Sequence, residues 1–142
     1  MIQRIQSVWL LLAAICGFLT TEAPIFKATL ANNTLRSVMA NDSLLLFAII
    51  IGIACLCFIG IFLFKKRPTQ IRLCIISIIL TIVAIALEVK NVEDYKTATP
   101  GMVKGSYQFG ALLPILIIVF LIMAIRGINK DQKLVKSLDR LR

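Results

Sequence analysis

The chain has 142 residues, of which 59% are hydrophobic, and its sixteen Lys and Arg against seven Asp and Glu give a net charge of +9. A mean hydropathy of +0.92 exceeds what the core of a soluble domain of this length requires, so the composition indicates an integral membrane protein. The chain has no His, which removes the commonest general base and the commonest metal ligand. We therefore expect no catalytic residue, no metal site and no cofactor.

The first predicted element is an apolar helix over about 5–22, preceded by Arg4. A cleavable signal peptide is the main alternative, but Pro24 would directly follow the cut, so we interpret the segment as a retained anchor. The polar residues between Pro24 and Asp42 predict a loop on the non-cytoplasmic side.

Two further spans are predicted over about 44–64 and 72–89, joined by a short cationic turn. At 1.5 Å per residue, the first of them matches the hydrocarbon thickness of about 30 Å. Basic loops resist translocation, so the turn is predicted to lie in the cytoplasm. Its cations are Lys65, Lys66, Arg67 and Arg72.

The last predicted span covers about 108–126, and Pro114 within it is expected to remove one backbone donor and bend its outer end. A basic tail, 128–142, follows. Its residues Leu134, Leu138 and Leu141 would share one face of an amphipathic helix. That helix could lie on anionic lipid head groups or dock onto a cytoplasmic protein or RNA. The cations of the tail are Lys130, Lys133, Lys136, Arg140 and Arg142.

The distribution of charge orients these spans. Four spans with both termini in the cytoplasm place eleven of the sixteen Lys and Arg inside and five outside. The outer side then carries no net charge, and the whole excess of positive charge lies on the cytoplasmic side, as membrane insertion favours. We therefore predict an all-α polytopic protein, with a four-helix up-down bundle over 1–127 and a cytoplasmic C-terminal helix.

Small residues at helical spacing predict where the helices touch, because helix association in lipid depends on close packing. The residues expected in these contacts are Ala13, Gly17, Ala48, Gly52, Gly60, Ser77 and Thr81. Ser77 and Thr81 could instead line a substrate path.

No ionisable residue is predicted at membrane depth, where a transporter or proton relay would need one. Glu22 and Glu88 fall near the outer ends of their spans, and we expect water to reach both. Cys55 and Cys57 suggest a redox pair or a metal site, but residues two apart on a helix project about 200° from each other and cannot hold one ion.

Both ends of the chain resemble a known family. The resemblance is carried by MIQRIQSV at 1–8, LLLA at 10–13 and DQKLVKSLDRLR at 131–142. These stretches are similar to a family of small four-helix inner-membrane proteins of Bacteroidota that is known only as a domain of unknown function. Trp9 stands where the family often has Tyr, and Gln132 where it often has an acid. The resemblance implies a bacterial inner membrane and brings no catalytic residues.

Two functions remain open at this point. The first is a non-enzymatic accessory subunit of a larger inner-membrane assembly, such as protein export or insertion machinery. Its basic cytoplasmic face would then contact a partner such as the ribosome or its RNA. The second is a small oligomeric transporter with a path near Ser77, Thr81 and Pro114.

Overall fold

A computed structural model describes residues 3–30, 34–63, 66–99 and 102–139, with the side chains of 3, 4 and 136–139 outside that description. The helices are α1 (Gln3–Glu22), α2 (Leu44–Phe62), α3 (Arg67–Ala98) and α4 (Leu113–Asp139). Short 3₁₀ turns precede α2 and α4. Four helices within the described residues are long and apolar enough to cross a membrane, which confirms that part of the prediction.

Consecutive helices run in opposite directions. Gln6, near the start of α1, bonds to Gly127 late in α4, and Gln70, early in α3, bonds to Gly60 late in α2. Helix α1 packs against α2 and α4, and α3 packs against the same two helices. We call the end with the α2–α3 connection the turn end and the opposite end the sheet end.

Three short strands cover the sheet end: β1 (Phe26–Leu30), β2 (Leu35–Val38) and β3 (Met102–Tyr107). They form an antiparallel sheet in the order β2-β1-β3, so the two predicted outer loops pair with each other. The all-α prediction is therefore incomplete. Strands of four to six residues carry little periodic signal, and β3 joins β1 from a segment far along the chain.

Several contacts fix the sheet on the helices. The Gln108 amide donates to the Ile25 carbonyl at 2.9 Å, and the Lys96 ammonium of α3 lies 5.1 Å from the Phe26 ring centroid. Gly110 packs so closely against the backbone at Pro24 that a Cβ at Gly110 would come 2.5 Å from the Pro24 carbonyl oxygen. The sheet is thus held against the ends of α1, α3 and α4.

Helix α3 is longer than the predicted span 72–89. It begins at Arg67, so Arg67 and Arg72 lie in its first turns rather than in a loop. Pro68 fits there because the first turn of a helix does not use its backbone donors. At the other end, α3 continues ten residues beyond Glu88.

Helix α4 differs from the prediction at both ends. Pro114 is its second residue, in the first turn, where its missing donor is not needed, so the predicted bend is wrong. The helix also runs without a break from the apolar span into the basic tail, as far as Asp139. The tail therefore begins as a direct extension of the last span.

Candidate functional site

The turn end carries a surface of exposed cations, which we call the cationic face. It consists of the side chains Lys66, Arg72, Arg126, Lys130 and Lys133. Of the other cations predicted here, Lys65, Arg140 and Arg142 lie outside the described residues, and the Lys136 side chain is not described either. The structure thus brings together Lys66 and Arg72, at and just after the start of α3, with cations from the last part of α4, residues 126–139, which we call the α4 extension.

Asp131 is the one acidic residue at the turn end among the described side chains, and it is buried, with 6% of its surface exposed. Its carboxylate accepts a hydrogen bond from Nε2 of Gln6, which is equally buried. Arg67 Nη1 donates to the Asp131 backbone carbonyl at 3.2 Å. The acid is therefore withdrawn from the surface, and the cationic face is left without an exposed acid among its described side chains.

The same contacts fix α4 to its neighbours. Gln6 Nε2 also donates to the Gly127 carbonyl at 3.3 Å, and a Cβ at Gly127 would come 3.1 Å from Gln6 Cγ. Ile128, one turn before Asp131, is fully buried. Gln6 was not among the predicted contact residues, although Gln6, Leu10 and Ala13 follow the spacing of one helix face.

The buried face of α3 carries a line of polar side chains, which we call the α3 stripe. Its members are Gln70, Cys74, Ser77, Thr81 and Glu88, together with the apolar Ala84 and Val92. The central part of the stripe was predicted from the sequence, whereas Gln70 and Glu88 were not, although both continue the same spacing of three and four residues.

The centre of the α3 stripe is packed. Thr81 Oγ1 donates to the Ser77 carbonyl of its own helix at 2.6 Å, as a packing role predicts. Cys57 of α2 lies beside Cys74 and Ser77. The polar groups here are covered by the neighbouring helix.

Glu88 differs from its predicted environment. It is only 4% exposed, and its Oε1 has no hydrogen-bond partner among the described residues. The expectation that water reaches this side chain is wrong, because α3 does not end near Glu88. Gln70 leaves its Oε1 unpaired in the same way, while its Nε2 donates to the Gly60 carbonyl at 3.0 Å. Burying an unpaired polar group has a cost in free energy, so these two sites are unusual.

The predicted small-residue contacts divide into two groups. On α1, Ala13 is buried, and a Cβ at Gly17 would lie 3.0 Å from the Cβ of Ala54 in α2. A Cβ at Gly60 would lie 3.5 Å from Leu10. These residues are at the α1–α2 contact.

Within the described part of the chain, Ala48 and Gly52 are not at a close contact between helices. Ala48 is exposed, and a Cβ at Gly52 would meet nothing within 4 Å. Gly60 does not share a helix face with this pair, because each step of four residues drifts by about 40° on an α-helix. Three steps separate Ala48 from Gly60 and turn the two residues about 120° apart.

Comparison with known families places the chain in a family. A family model described as a domain of unknown function (DUF4293) matches residues 2–141. The chain belongs to this family. No curated protein and no solved structure matches it. The expected kinship with an uncharacterised domain family is therefore confirmed, and the DUF4293 description assigns no activity.

The described residues at the sheet end of this DUF4293 protein form at least two grooves that the sequence did not reveal. One, of about 420 Å³, lies between β2 and α3 and has side chains of both charges, including Arg36, Asp42 and Asp94. The other, of about 500 Å³, lies on the face of the sheet, and Lys27 and Lys104 are its charged residues. Both depend on strand pairing, which the sequence analysis did not predict.

The described part of the DUF4293 chain contains no group of three or more His, Cys, Asp or Glu residues that could hold a metal ion. Cys16, Cys57 and Cys74 are buried, whereas Cys55 is exposed on α2.

Proposed function

We propose that this DUF4293 protein is a non-enzymatic accessory subunit of a bacterial inner-membrane assembly. The cationic face is the surface that contacts its partner. The burial of Asp131 supports this role most directly, because it leaves the described side chains of the turn end without an exposed acid. Protein export or insertion machinery is a fitting assembly, since ribosomal RNA would present phosphates to such a surface.

Insertion in the membrane is part of this proposal. Exposed apolar side chains occur on all four helices, for example Phe18, Phe58, Ile79 and Ile122. A soluble monomer rarely exposes so much apolar surface, whereas lipid tails would cover it. The positive turn end then lies in the cytoplasm with both chain termini, and anionic lipid head groups surround its edge.

The α4 extension supports a contact with a partner rather than a loose tail. Asp131 and Ile128 hold the start of the extension against α1 and α3, so Lys130 and Lys133 project from a fixed helix. Fixed cations lose less conformational entropy on binding than mobile ones. The predicted Leu134–Leu141 ridge is only partly described, so its contact with lipid stays a prediction.

A pair of matched variants tests this role. The turn-end variant replaces four exposed cations with Gln, and the control variant replaces four exposed cations of the sheet end. The turn-end set is Lys66, Arg72, Lys130 and Lys133, and the control set is Lys27, Arg36, Lys90 and Lys104. Both variants lose the same charge, so a difference in partner recovery between them depends on where the cations lie. Deletion of the whole tail would be less informative, because it would also remove Asp131 from Gln6.

Affinity purification in mild detergent with quantitative mass spectrometry provides the measurement. We expect the turn-end variant to lose its co-purifying membrane or ribosomal proteins by about tenfold or more, since each charge-assisted contact contributes about 1.5–3 kcal/mol. The control variant should retain them. A reporter fused after Arg142 checks that each variant keeps its orientation. Purification of the wild-type chain as a lone protein, or equal losses in both variants, would rule the proposal out.

A small oligomeric transporter remains the second candidate, and Glu88 is the observation that favours it. A buried carboxyl group without a partner needs a proton or a cation, and Glu88 shares a helix face with Ser77 and Thr81. Pro114, the third residue of the proposed path, lies in the first turn of α4. This candidate predicts that Glu88→Gln changes cation or proton flux in proteoliposomes while the turn-end variant does not. Flux no higher than in empty liposomes would eliminate it.

A further inference from the structure

The groove on the face of the sheet, which we call the sheet groove, is built from paired residues of β1 and β3. Lys27 lies opposite Ser106, and Thr29 lies opposite Lys104. Residues opposite each other in an antiparallel pair point to the same side, so these four side chains share one face. The two lysines are diagonal neighbours, with Cβ atoms separated by roughly 7 Å or somewhat less.

The side chains of the sheet groove mainly offer hydrogen-bond donors. An ammonium group has donors only, and neither Lys27 nor Lys104 forms an ion pair with a residue that the structure describes. Gln108 Nε2 donates to Ser106 Oγ at 3.0 Å, which occupies a lone pair of that hydroxyl and leaves its hydrogen to be donated elsewhere. The Thr29 hydroxyl adds a further donor. None of the described residues that line the groove is acidic.

Two acidic residues of the sheet end, Asp42 and Asp94, lie outside the sheet groove. Asp42 and Asp94 line the other groove, together with Arg36, and Asp42 accepts a hydrogen bond from the Met39 amide at 2.7 Å. Lys27 and Lys104 are diagonal neighbours that carry like charges, so their ammonium groups repel each other. A bound anion would offset this repulsion and accept the unused donors.

The position of the sheet groove indicates which anion is available. Lys27 is five residues beyond the end of α1, and the sheet therefore begins where an apolar span ends. In a bilayer, the polar layer beside the hydrocarbon is about 5–7 Å thick on each side and holds the lipid phosphates. The groove volume of about 500 Å³ is also within the range of small-ligand sites, about 300–1,000 Å³, so it can hold more than a bare ion.

We propose that the sheet groove binds the phosphate group of an anionic phospholipid. Lys27 and Lys104 contact the phosphate oxygens through charge-assisted hydrogen bonds, and Thr29 and Ser106 donate their hydroxyl hydrogens. The site rests on the proposed insertion in a membrane, but it is independent of the cationic face.

The test measures lipid binding by native mass spectrometry of the full chain in an uncharged detergent. The turn-end variant serves as the background, so that lipids on the cationic face do not contribute. Phosphatidylglycerol is compared with diacylglycerol of the same acyl chains, which lacks the phosphate. We expect phosphatidylglycerol to be retained and diacylglycerol to be lost. Insertion itself is checked separately by incorporation into lipid nanodiscs, so failure of the membrane proposal is distinguishable.

Single substitutions locate the site. Lys27→Gln and Lys104→Gln should each weaken phosphatidylglycerol binding about tenfold, the loss expected for one charge-assisted hydrogen bond. Lys90→Gln removes the same charge from an exposed position of α3 outside the groove and should leave binding within about twofold, since a distant surface charge is screened. Lys104→Arg keeps the charge and should retain binding, which shows that the strand tolerates substitution.

Three results would overturn the proposal. Unchanged binding in Lys27→Gln and Lys104→Gln would place the lipid elsewhere, and an equal loss in Lys90→Gln would show a general charge effect. Binding of soluble glycerol phosphate without retention of phosphatidylglycerol would identify a free phosphate ester as the occupant in place of a lipid.

Discussion

Two glycines with the same local sequence signal should respond oppositely to the same substitution. Gly17 follows Ala13 by four residues, and Gly52 follows Ala48 in the same way, so both pairs predict a close helix contact. In the structure, a Cβ at Gly17 would come 3.0 Å from the Cβ of Ala54, whereas a Cβ at Gly52 would meet nothing within 4 Å. Gly17→Ala and Gly52→Ala therefore add the same methyl group to a crowded and an open position.

The expected change in the free energy of unfolding is the sum of two terms. Replacing a glycine inside a helix with Ala stabilises the helix by about 0.5–1 kcal/mol in either variant. At Gly17 the new methyl must also displace Ala54, whose Cβ is attached directly to the α2 backbone and cannot rotate away. Carbon atoms prefer a separation of about 3.5–4.0 Å, and overpacking of this kind costs about 1–3 kcal/mol. The helix term is common to both, so Gly17→Ala should be about 1–3 kcal/mol less stable than Gly52→Ala.

Unfolding in mixed micelles with increasing sodium dodecyl sulfate measures this difference. Far-UV circular dichroism follows the helices, and the fluorescence of Trp9 follows the contact between α1 and α4, because its ring stacks on Phe120 at 5.9 Å. Trp9 is the only tryptophan in the chain. If both variants shift the midpoint equally, or if Gly52→Ala is the less stable one, then the assignment of the packed face is wrong.

Three further substitutions test other contacts by the same titration. Gly110→Ala should lose about 1–3 kcal/mol, because its Cβ would overlap backbone carbonyl groups near Pro24, which cannot rotate away; a wild-type midpoint would refute that contact. Gln6→Leu should cost about 1–3 kcal/mol by leaving the Asp131 carboxylate unpaired, whereas Asp131→Asn keeps a hydrogen-bond acceptor and should lose less; the reverse order would argue against this pairing. Thr81→Val should change stability by less than about 1 kcal/mol, because its hydroxyl bonds only to its own helix; a larger loss would indicate a contact across helices.

The helices were predictable because each signal is local. An apolar run long enough to cross a bilayer is visible in the sequence, and all four such runs form helices. The buried side of α3 was also partly visible, since Cys74, Ser77 and Thr81 recur at helical spacing. Extension of that spacing in both directions would have found Gln70 and Glu88.

Features that depend on distant pairing were not predictable in the same way. The strand β3 forms only by pairing with β1, which lies more than seventy residues earlier in the chain. In neither strand do apolar and polar residues alternate strongly enough to predict the strand from its own sequence. The burial of Asp131 likewise depends on Gln6, at the other end of the chain. A small-residue pair shows that two helices can approach closely, but it does not say which face does so. Gly17 and Gly52 therefore looked alike.

The net charge on each side of the membrane does not show how positive and negative residues are arranged within that side. The sheet end has no net charge, yet its acids Asp42 and Asp94 line one groove while Lys27 and Lys104 line another. The turn end reaches a similar separation by burying Asp131. An anion close to the surface responds to the nearest charges, because salt screens those beyond about 8–10 Å. Both proposed sites, the cationic face and the sheet groove, therefore rest on local separation of charge rather than on net charge.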